Sequence, residues 1–458
     1  MPRPVVAAFL SLLLPAVLVA QALPPAAAVA RVADSLAQAF IAERGAPSVA
    51  IGMVRGADTI VMKAWGEADL EQDVAATATS VYRIGSVTKQ FTAAAVMQLV
   101  EKGSVRLDDS IAAYLPSLPA AWRPVTVRQL LNHTSGIPSY TAIGPAWVRR
   151  WGEEMIPDTL VALTAATPMR FAPGTKWEYD NSGYVLLGML IERVAGRPWA
   201  TDIDERFFKP LGLTDTRNCM TAPLIPHRAH GYEPDGNNWK NATYLAMSQP
   251  YSAGALCSTV GDLARWNRAL HTGKVVSPAS YALMTTPVGA ATERRYGFGL
   301  ARDTVGGRPM ILHGGGIHGF ITENAWVPDA ELSVTVLTNS GSARPDRLRR
   351  QLTLAALGVP LDQPSKVGPL PVADRKRYVG VYALALPGGT RDFTIAEQGD
   401  RLTGQLAGQK ANPLLYYGAH TFGASFDPTV RLIFSVEGDR ATKMVLMQGG
   451  GRSEGLRK

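Results

Sequence analysis

Apolar and polar positions along the chain follow two different periods, and the change of period marks out its elements. Residues 28–42 repeat at helical spacing and read as an amphipathic helix, stopped by Gly45-Ala46-Pro47. Two strand-like runs follow at 48–54 and 59–65, joined by the polar turn Arg55-Gly56-Ala57-Asp58, which predicts a hairpin. Residues 86–101 are almost continuously apolar or small, between Gly85 and Gly103, and predict a buried helix with a glycine stop. From about 105 to 290 the pattern gives short helices and long, proline-punctuated loops. Strand character returns at 296–301, 310–313, 319–326 and 332–339, and a last helix is predicted over 346–357. Strands near both ends, with helices between and outside them, predict one sheet built from distant segments, covered by helices and interrupted by a helical subdomain. That is an α/β (α+β) sandwich. Prolines at 361–371 suggest a linker. Beyond it six short strands are predicted at 378–382, 392–397, 401–406, 414–417, 430–436 and 442–447, separated by polar turns, as in a small antiparallel barrel.

Composition adds a destination. Arg3, the apolar run 5–20 and the small-x-small triplet Ala20-Gln21-Ala22 read as a signal peptide over 1–22, so the chain is expected to be exported, to the periplasm or beyond. The apolar run is shorter than the roughly 20 residues a helix needs to cross a bilayer, and no membrane span is expected after cleavage. Net charge is 46 − 38 = +8, and loss of Arg3 leaves 45 − 38 = +7. That is modest for this length and comes with no nucleic-acid motif, so no nucleic-acid partner is expected. The run Arg347-Leu348-Arg349-Arg350 is expected to be a solvated helix face. Two cysteines, Cys219 and Cys257, are too few for a structural zinc site. In an exported chain they are expected to pair as a disulfide, the alternative being two buried thiols.

Three stretches carry candidate chemistry. Ser86 and Lys89 stand at i and i+3 at the start of the buried helix, where hydroxyl and amine share a face. A serine hydroxyl needs an adjacent base to act as a nucleophile, and a lysine can be that base if burial keeps it neutral. The helix start also places backbone N–H groups where an oxyanion could be held. Tyr179-Asp180-Asn181, after Pro173-Gly174-Thr175, offers a phenol for proton transfer and an amide to grip a substrate carbonyl; taken alone it reads first as an ordinary loop tyrosine and a turn asparagine. His313-Gly314-Gly315-Gly316 ends an apolar strand, and its glycines let a substrate backbone approach closely. His227 and His230, at i and i+3, have few carboxylates near them in sequence, and neither a metal nor a cofactor is expected.

In this order the three stretches resemble the signatures Ser-x-x-Lys, Tyr-x-Asn and Lys-Thr-Gly of the penicillin-recognising serine hydrolases: class C β-lactamases, D-alanyl-D-alanine carboxypeptidases, and related esterases and D-aminopeptidases. Flanking stretches share the likeness, among them Leu130-Leu131-Asn132-His133-Thr134-Ser135-Gly136, Ser252-Ala253-Gly254 and Tyr296-Gly297-Phe298-Gly299. The resemblance implies a serine hydrolase domain over 28–358, a linker over 359–371 and a lipocalin-like barrel over 372–458. It also implies that Ser86 is acylated, that Lys89 and Tyr179 move the protons, and that Asn181 holds the substrate amide and Lys89. The N–H groups of Ser86 and Gly316 would form the oxyanion hole, with Gly315 and His313 beside the substrate. His313 departs from the pattern, because a lysine there offers a fixed charge to a carboxylate and a histidine is only partly charged near neutral pH. Peptidase, amidase or esterase action on a small amide, ester or short peptide is therefore expected before efficient β-lactam hydrolysis. A penicillin-recognising binding or sensing protein with little turnover is the alternative. His318, five residues on, is a candidate for the same cleft or a structural histidine.

Overall fold

A computed structural model describes residues 23–361, 368–386, 389–424, 430–448 and 451–458. The expected signal peptide at 1–22 and residues 362–367 of the expected linker lie outside the described residues. The chain divides into two compact units between Leu361 and Asp362.

In the first unit, helix α1 (Ala26–Ala42) leads to strands β1 (Ser48–Arg55), β2 (Asp58–Asp69) and the short β3 (Val74–Ala75). Strand β4 (Tyr82–Arg83) runs into a 3-10 turn, Gly85–Val87, and then helix α2 (Thr88–Glu101). The middle of the unit holds α3 (Asn181–Ala195), β5 (Arg217–Asn218), the hairpin β6 (Tyr232–Asp235) and β7 (Asn238–Asn241), β8 (Leu256–Ser258) and α4 (Val260–His271). Strands β9 (Ala301–Val305), β10 (Arg308–Ile317), β11 (Phe320–Val327) and β12 (Leu332–Thr338) follow, then helix α5 (Pro345–Leu357). The main sheet is antiparallel in the order β3-β2-β1-β12-β11-β10-β9, so the two ends of the unit meet at β1 and β12.

Alternation along β1 explains the layering. Val49, Ile51 and Met53 point to one face and pack with Val29, Ala33 and Ala37 of α1 and Leu348 and Leu352 of α5. Ala50 points to the other face and joins the larger core around α2 and α4. Helix α2 is buried on nearly every side, as its unbroken apolar pattern implied. Its first turn is 3-10 rather than α. Helix α3, which the sequence pattern did not single out, is capped at its start by the Asp180 side chain and ends on left-handed Gly196.

Three expectations need correction. Residues 296–300 form no strand, and β9 begins only at Ala301. The basic run on α5 is not uniformly solvated: Arg349 is buried and its Nε lies 2.8 Å from Glu323 Oε2. The expected disulfide is not formed, and Cys219 and Cys257 are buried free thiols. The small sheet β4-β8-β5 sets their places. Cys257 sits opposite Arg217, and the Cys219 N–H bonds to Ala255 O, so the cysteines are diagonal neighbours. Their side chains meet as a hydrogen-bonded pair of thiols rather than as a covalent bridge.

The second unit is a closed antiparallel barrel of eight strands: Gly380–Leu386, Gly389–Gln398, Arg401–Leu406, Asn412–Tyr416, Thr421–Ala424, Arg431–Glu437, Arg440–Gln448 and Gly451–Arg457. Pairing of Tyr382 with Arg457 closes it. The two strands beyond the six expected are the four-residue Thr421–Ala424 and the Gly- and Arg-containing last strand, neither with a clear apolar alternation.

Candidate active site

Ser86 stands in the 3-10 turn at the head of α2, half-buried, with Lys89 one turn on and fully buried. Lys89 Nζ lies 3.2 Å from Ser86 Oγ, 2.7 Å from Asn181 Oδ1 and 2.9 Å from the Ala253 carbonyl oxygen. Burial lowers the Lys89 amine to about 7, with Asp180 pulling the other way. In the neutral form the amine has two N–H bonds and one lone pair. The two carbonyl oxygens accept the N–H bonds, which leaves the lone pair toward the Ser86 hydroxyl. That is the geometry of a general base.

Tyr179 and Asn181 flank the start of α3. The Asn181 amide Nδ2 donates to Thr141 Oγ1 at 3.1 Å, which fixes Oδ1 toward Lys89. Lys89 Nζ also sits 4.7 Å from the centre of the Tyr179 ring. Burial pushes the Tyr179 phenol well above its usual value, partly offset by a hydrogen bond with Ser86. Tyr179 is therefore a protonated phenol at neutral pH. Lys89 is the nearby group poised to accept a proton, and Tyr179 the one equipped to donate.

The third stretch packs edge-on against Ser86. Strand β9 pairs with β10 only as far as Leu312, so residues 313–317 keep β11 on one side and turn the other toward the head of α2. Two glycines are needed for that approach. A Cβ on Gly315 would lie 2.0 Å from Ile84 O, and one on Gly85, itself left-handed at φ +49°, would lie 3.0 Å from Gly316 N. Gly316 is exposed, with its backbone alongside Gly85 and the turn that carries Ser86.

His313 does not present a charge to this cleft. It is buried, and burial together with the Lys89 charge lowers it to about 4. Its Nδ1 lies 2.6 Å from Gly314 O, which can only accept, so Nδ1 carries the proton. Its Nε2, 2.8 Å from Tyr296 Oη, accepts from the phenol. The partial charge expected at neutral pH is absent, because no solvent replaces the hydration that burial removes. His318 donates from Nδ1 to Thr243 O at 2.9 Å and meets the Trp151 ring edge-on. His230 lies 3.8 Å from Asp69 Oδ2, a carboxylate that is distant in sequence.

Four contributors were not singled out from sequence. His133 is fully buried at φ +61°, and its ring centre is 4.3 Å from Tyr179 and 4.7 Å from Tyr296. Its Nδ1 accepts the Asp180 N–H at 3.2 Å. Thr141, the Ala253 carbonyl and Tyr296 are the others. His133, Ala253 and Tyr296 lie within the stretches that carried the family likeness, where the residue type gave no hint of its contact.

Comparison with known proteins fits this geometry. Residues 33–358 match the family model described as Beta-lactamase. A penicillin-binding protein of Bacillus subtilis (strain 168) is 28% identical over 88% of this chain and 93% of its own length. A D-aminopeptidase of Brucella ovis is 30% identical over 69% of this chain, a match that spans 61% of that enzyme. The crystal structure of a D-stereospecific amidohydrolase from Streptomyces sp. covers 73% of this chain and 98% of its own, with 31% identity and a TM-score of 0.61. Among the described residues no helix is long and apolar enough to cross a membrane. This chain belongs to the beta-lactamase family, as a hydrolase related to D-aminopeptidases, D-amino acid amidases and penicillin-binding proteins.

Proposed function

We propose that this protein is an exported serine hydrolase that forms an acyl-enzyme at Ser86 and hydrolyses small amides, short peptides or esters whose acyl group is a D-amino acid. The observation that carries the reading is the buried Lys89 amine, with two carbonyl oxygens on its N–H bonds and Ser86 Oγ 3.2 Å away. Ser86 Oγ attacks the substrate carbonyl and its proton passes to Lys89. The backbone N–H groups of Ser86 and Gly316 hold the oxyanion. Collapse breaks the carbonyl–nitrogen or carbonyl–oxygen bond, Tyr179 hands a proton to the leaving atom, and the Lys89 ammonium reprotonates Tyr179, which restores the neutral amine. Water, deprotonated by the same pair, then releases the acid. The preference for a D-configured acyl group is drawn from the Brucella ovis and Streptomyces relatives. The uncharged His313 supports amides and esters over substrates that need a cation at that position to hold a carboxylate. Export is supported by the 1–22 segment.

The test is a turnover panel on one preparation: a D-alanine anilide, its L-alanine counterpart, a short-chain nitrophenyl ester and a chromogenic cephalosporin. Mass spectrometry of the quenched enzyme reads the acyl adduct. The expected result is a transient adduct on Ser86, with the D-anilide and the ester turned over fastest. Full turnover by Ser86→Ala would sink the proposal. A stable adduct without release would favour a binding or sensing role instead.

A further inference from the structure

Asp180 stands between the two motif residues Tyr179 and Asn181, and it is 2% exposed. One carboxylate oxygen is committed: Oδ2 accepts the Gly183 N–H at 3.0 Å, which caps α3, and the Ser135 hydroxyl at 3.1 Å. The other, Oδ1, is buried and has no hydrogen-bond partner among the described residues. A cap alone does not require this. Asn caps a helix as well as Asp and brings no charge into the interior, whereas a buried carboxylate is costly to desolvate. The cost is visible in the acid itself, which burial raises to about 7 against the pull of its hydrogen bonds and of Lys89.

Both residues that flank it in sequence touch the Lys89 amine, Asn181 Oδ1 at 2.7 Å and the Tyr179 ring centre at 4.7 Å, which brings the carboxylate within Coulomb range of that amine. Titratable side chains facing the two groups come from α2 (Lys89), the loop before Ile137 (His133), the Tyr140 turn, the approach to α3 (Tyr179), α3 itself (Tyr184), the loop before β9 (Tyr296) and β10 (His313). Burial holds His133 far below and His313 at about 4, below the neutral range. It holds Tyr140, Tyr179, Tyr184 and Tyr296 well above that range. Only Lys89 and Asp180 can exchange a proton near neutrality.

We infer that Asp180 is a positioning residue whose buried carboxylate sets how tightly Lys89 holds its proton, and thereby the pH above which Lys89 can deprotonate Ser86. The inference rests on Lys89 being the base, as proposed above. A negative charge beside the amine favours the ammonium. Removing that charge lets Lys89 become neutral at lower pH.

The experiment compares the pH dependence of kcat/KM for wild type and Asp180→Asn on one activated ester. Asn keeps the cap. The acidic limb should move down by about one pH unit. A limb that stays in place, with only a lower rate or melting temperature, would mean that Asp180 is a cap and nothing more. Ser135→Ala carries the test if Asp180→Asn fails to fold. It removes one donor to the carboxylate, which then holds a proton more readily, and the limb should move in the same direction by less; an unmoved limb overturns the inference. Trapping the Ser86 adduct in each protein separates the two levels. No adduct in wild type defeats the proposed function, whereas an adduct with an unmoved limb in the variant defeats only the role of Asp180.

Discussion

The hydrolase unit and the barrel solve burial in opposite ways. The barrel core is apolar and aromatic: Phe422 lies 4.7 Å from Tyr378 and 5.5 Å from Phe434, centre to centre. Its buried hydroxyls are matched at once, Tyr382 to Tyr378 O and Tyr378 to His420. Thr403 is the one other buried polar side chain among its described residues. The hydrolase unit buries charge, in two manners. Asp202 and Glu323 are answered by arginines. Lys89 and Asp180 are answered by neutral carbonyl, hydroxyl and N–H groups, so each shifts toward neutral pH. An arginine partner would lock an ion pair, whereas neutral partners leave a proton free to move.

The largest expected effect separates the two cores by what a single substitution destroys. Lys89→Met keeps the length of the side chain and removes the proposed base. Acylation of Ser86, read by stopped-flow with an activated ester, should fall about 10⁴-fold, or about 5 kcal/mol in barrier. The unfolding midpoint should change little, because the amine's desolvation cost disappears together with its two hydrogen bonds. Phe422→Ala does the reverse. Loss of the ring at the centre of the barrel cluster should cost about 3–5 kcal/mol. Hydrogen exchange of amides in 389–406 and 431–447 would register it. Protection unchanged there would mean that the aromatic cluster does not hold the barrel together.

The same contrast explains what could be read in advance. Lys89 and Ser86 were legible because both chemistry and spacing are local: i and i+3 on one helix, after a glycine. Tyr179 and Asn181 were legible only through their likeness to a family, since nothing in a loop tyrosine announces that a lysine 90 positions earlier packs on its ring. The sheet was legible from alternation in β1, β2 and β10–β12. Residues 296–301 misled, because Tyr296, Phe298 and Leu300 alternate like a strand while serving as inward-facing loop side chains, with Tyr296 bonded to His313. Asp180 was in plain view but was given no role. Its significance depends on burial, which composition does not report. The two cysteines were likewise legible as neighbours, and they do meet, but as buried free thiols.

The finest test concerns His313, where the sequence implied a partial charge and the fold removes it. The unfolded chain holds this imidazole at about 6.5, and the folded protein lowers it to about 4. Between those values the unfolded state binds more protons than the native state at this position, so stability rises with pH there and falls on acidification. From pH 7 to pH 5 the imidazole should withdraw about 2 kcal/mol, from roughly 1.5 pH units at 1.36 kcal/mol each. Asp180 has the opposite sign. Raised from 3.8 to about 7, it binds more protons in the native state over the same window, so it stabilises the fold on acidification and masks the histidine in the wild-type curve. The difference between wild type and His313→Gln cancels Asp180 and His133, which both proteins share. Gln can accept from Tyr296 and donate to Gly314 O without titrating. Denaturant unfolding at pH 7 and pH 5 should show the variant gaining about 2 kcal/mol on wild type as the pH falls. Parallel curves would mean that His313 is protonated in the native state, and would restore a cation to the cleft where a substrate carboxylate could meet it.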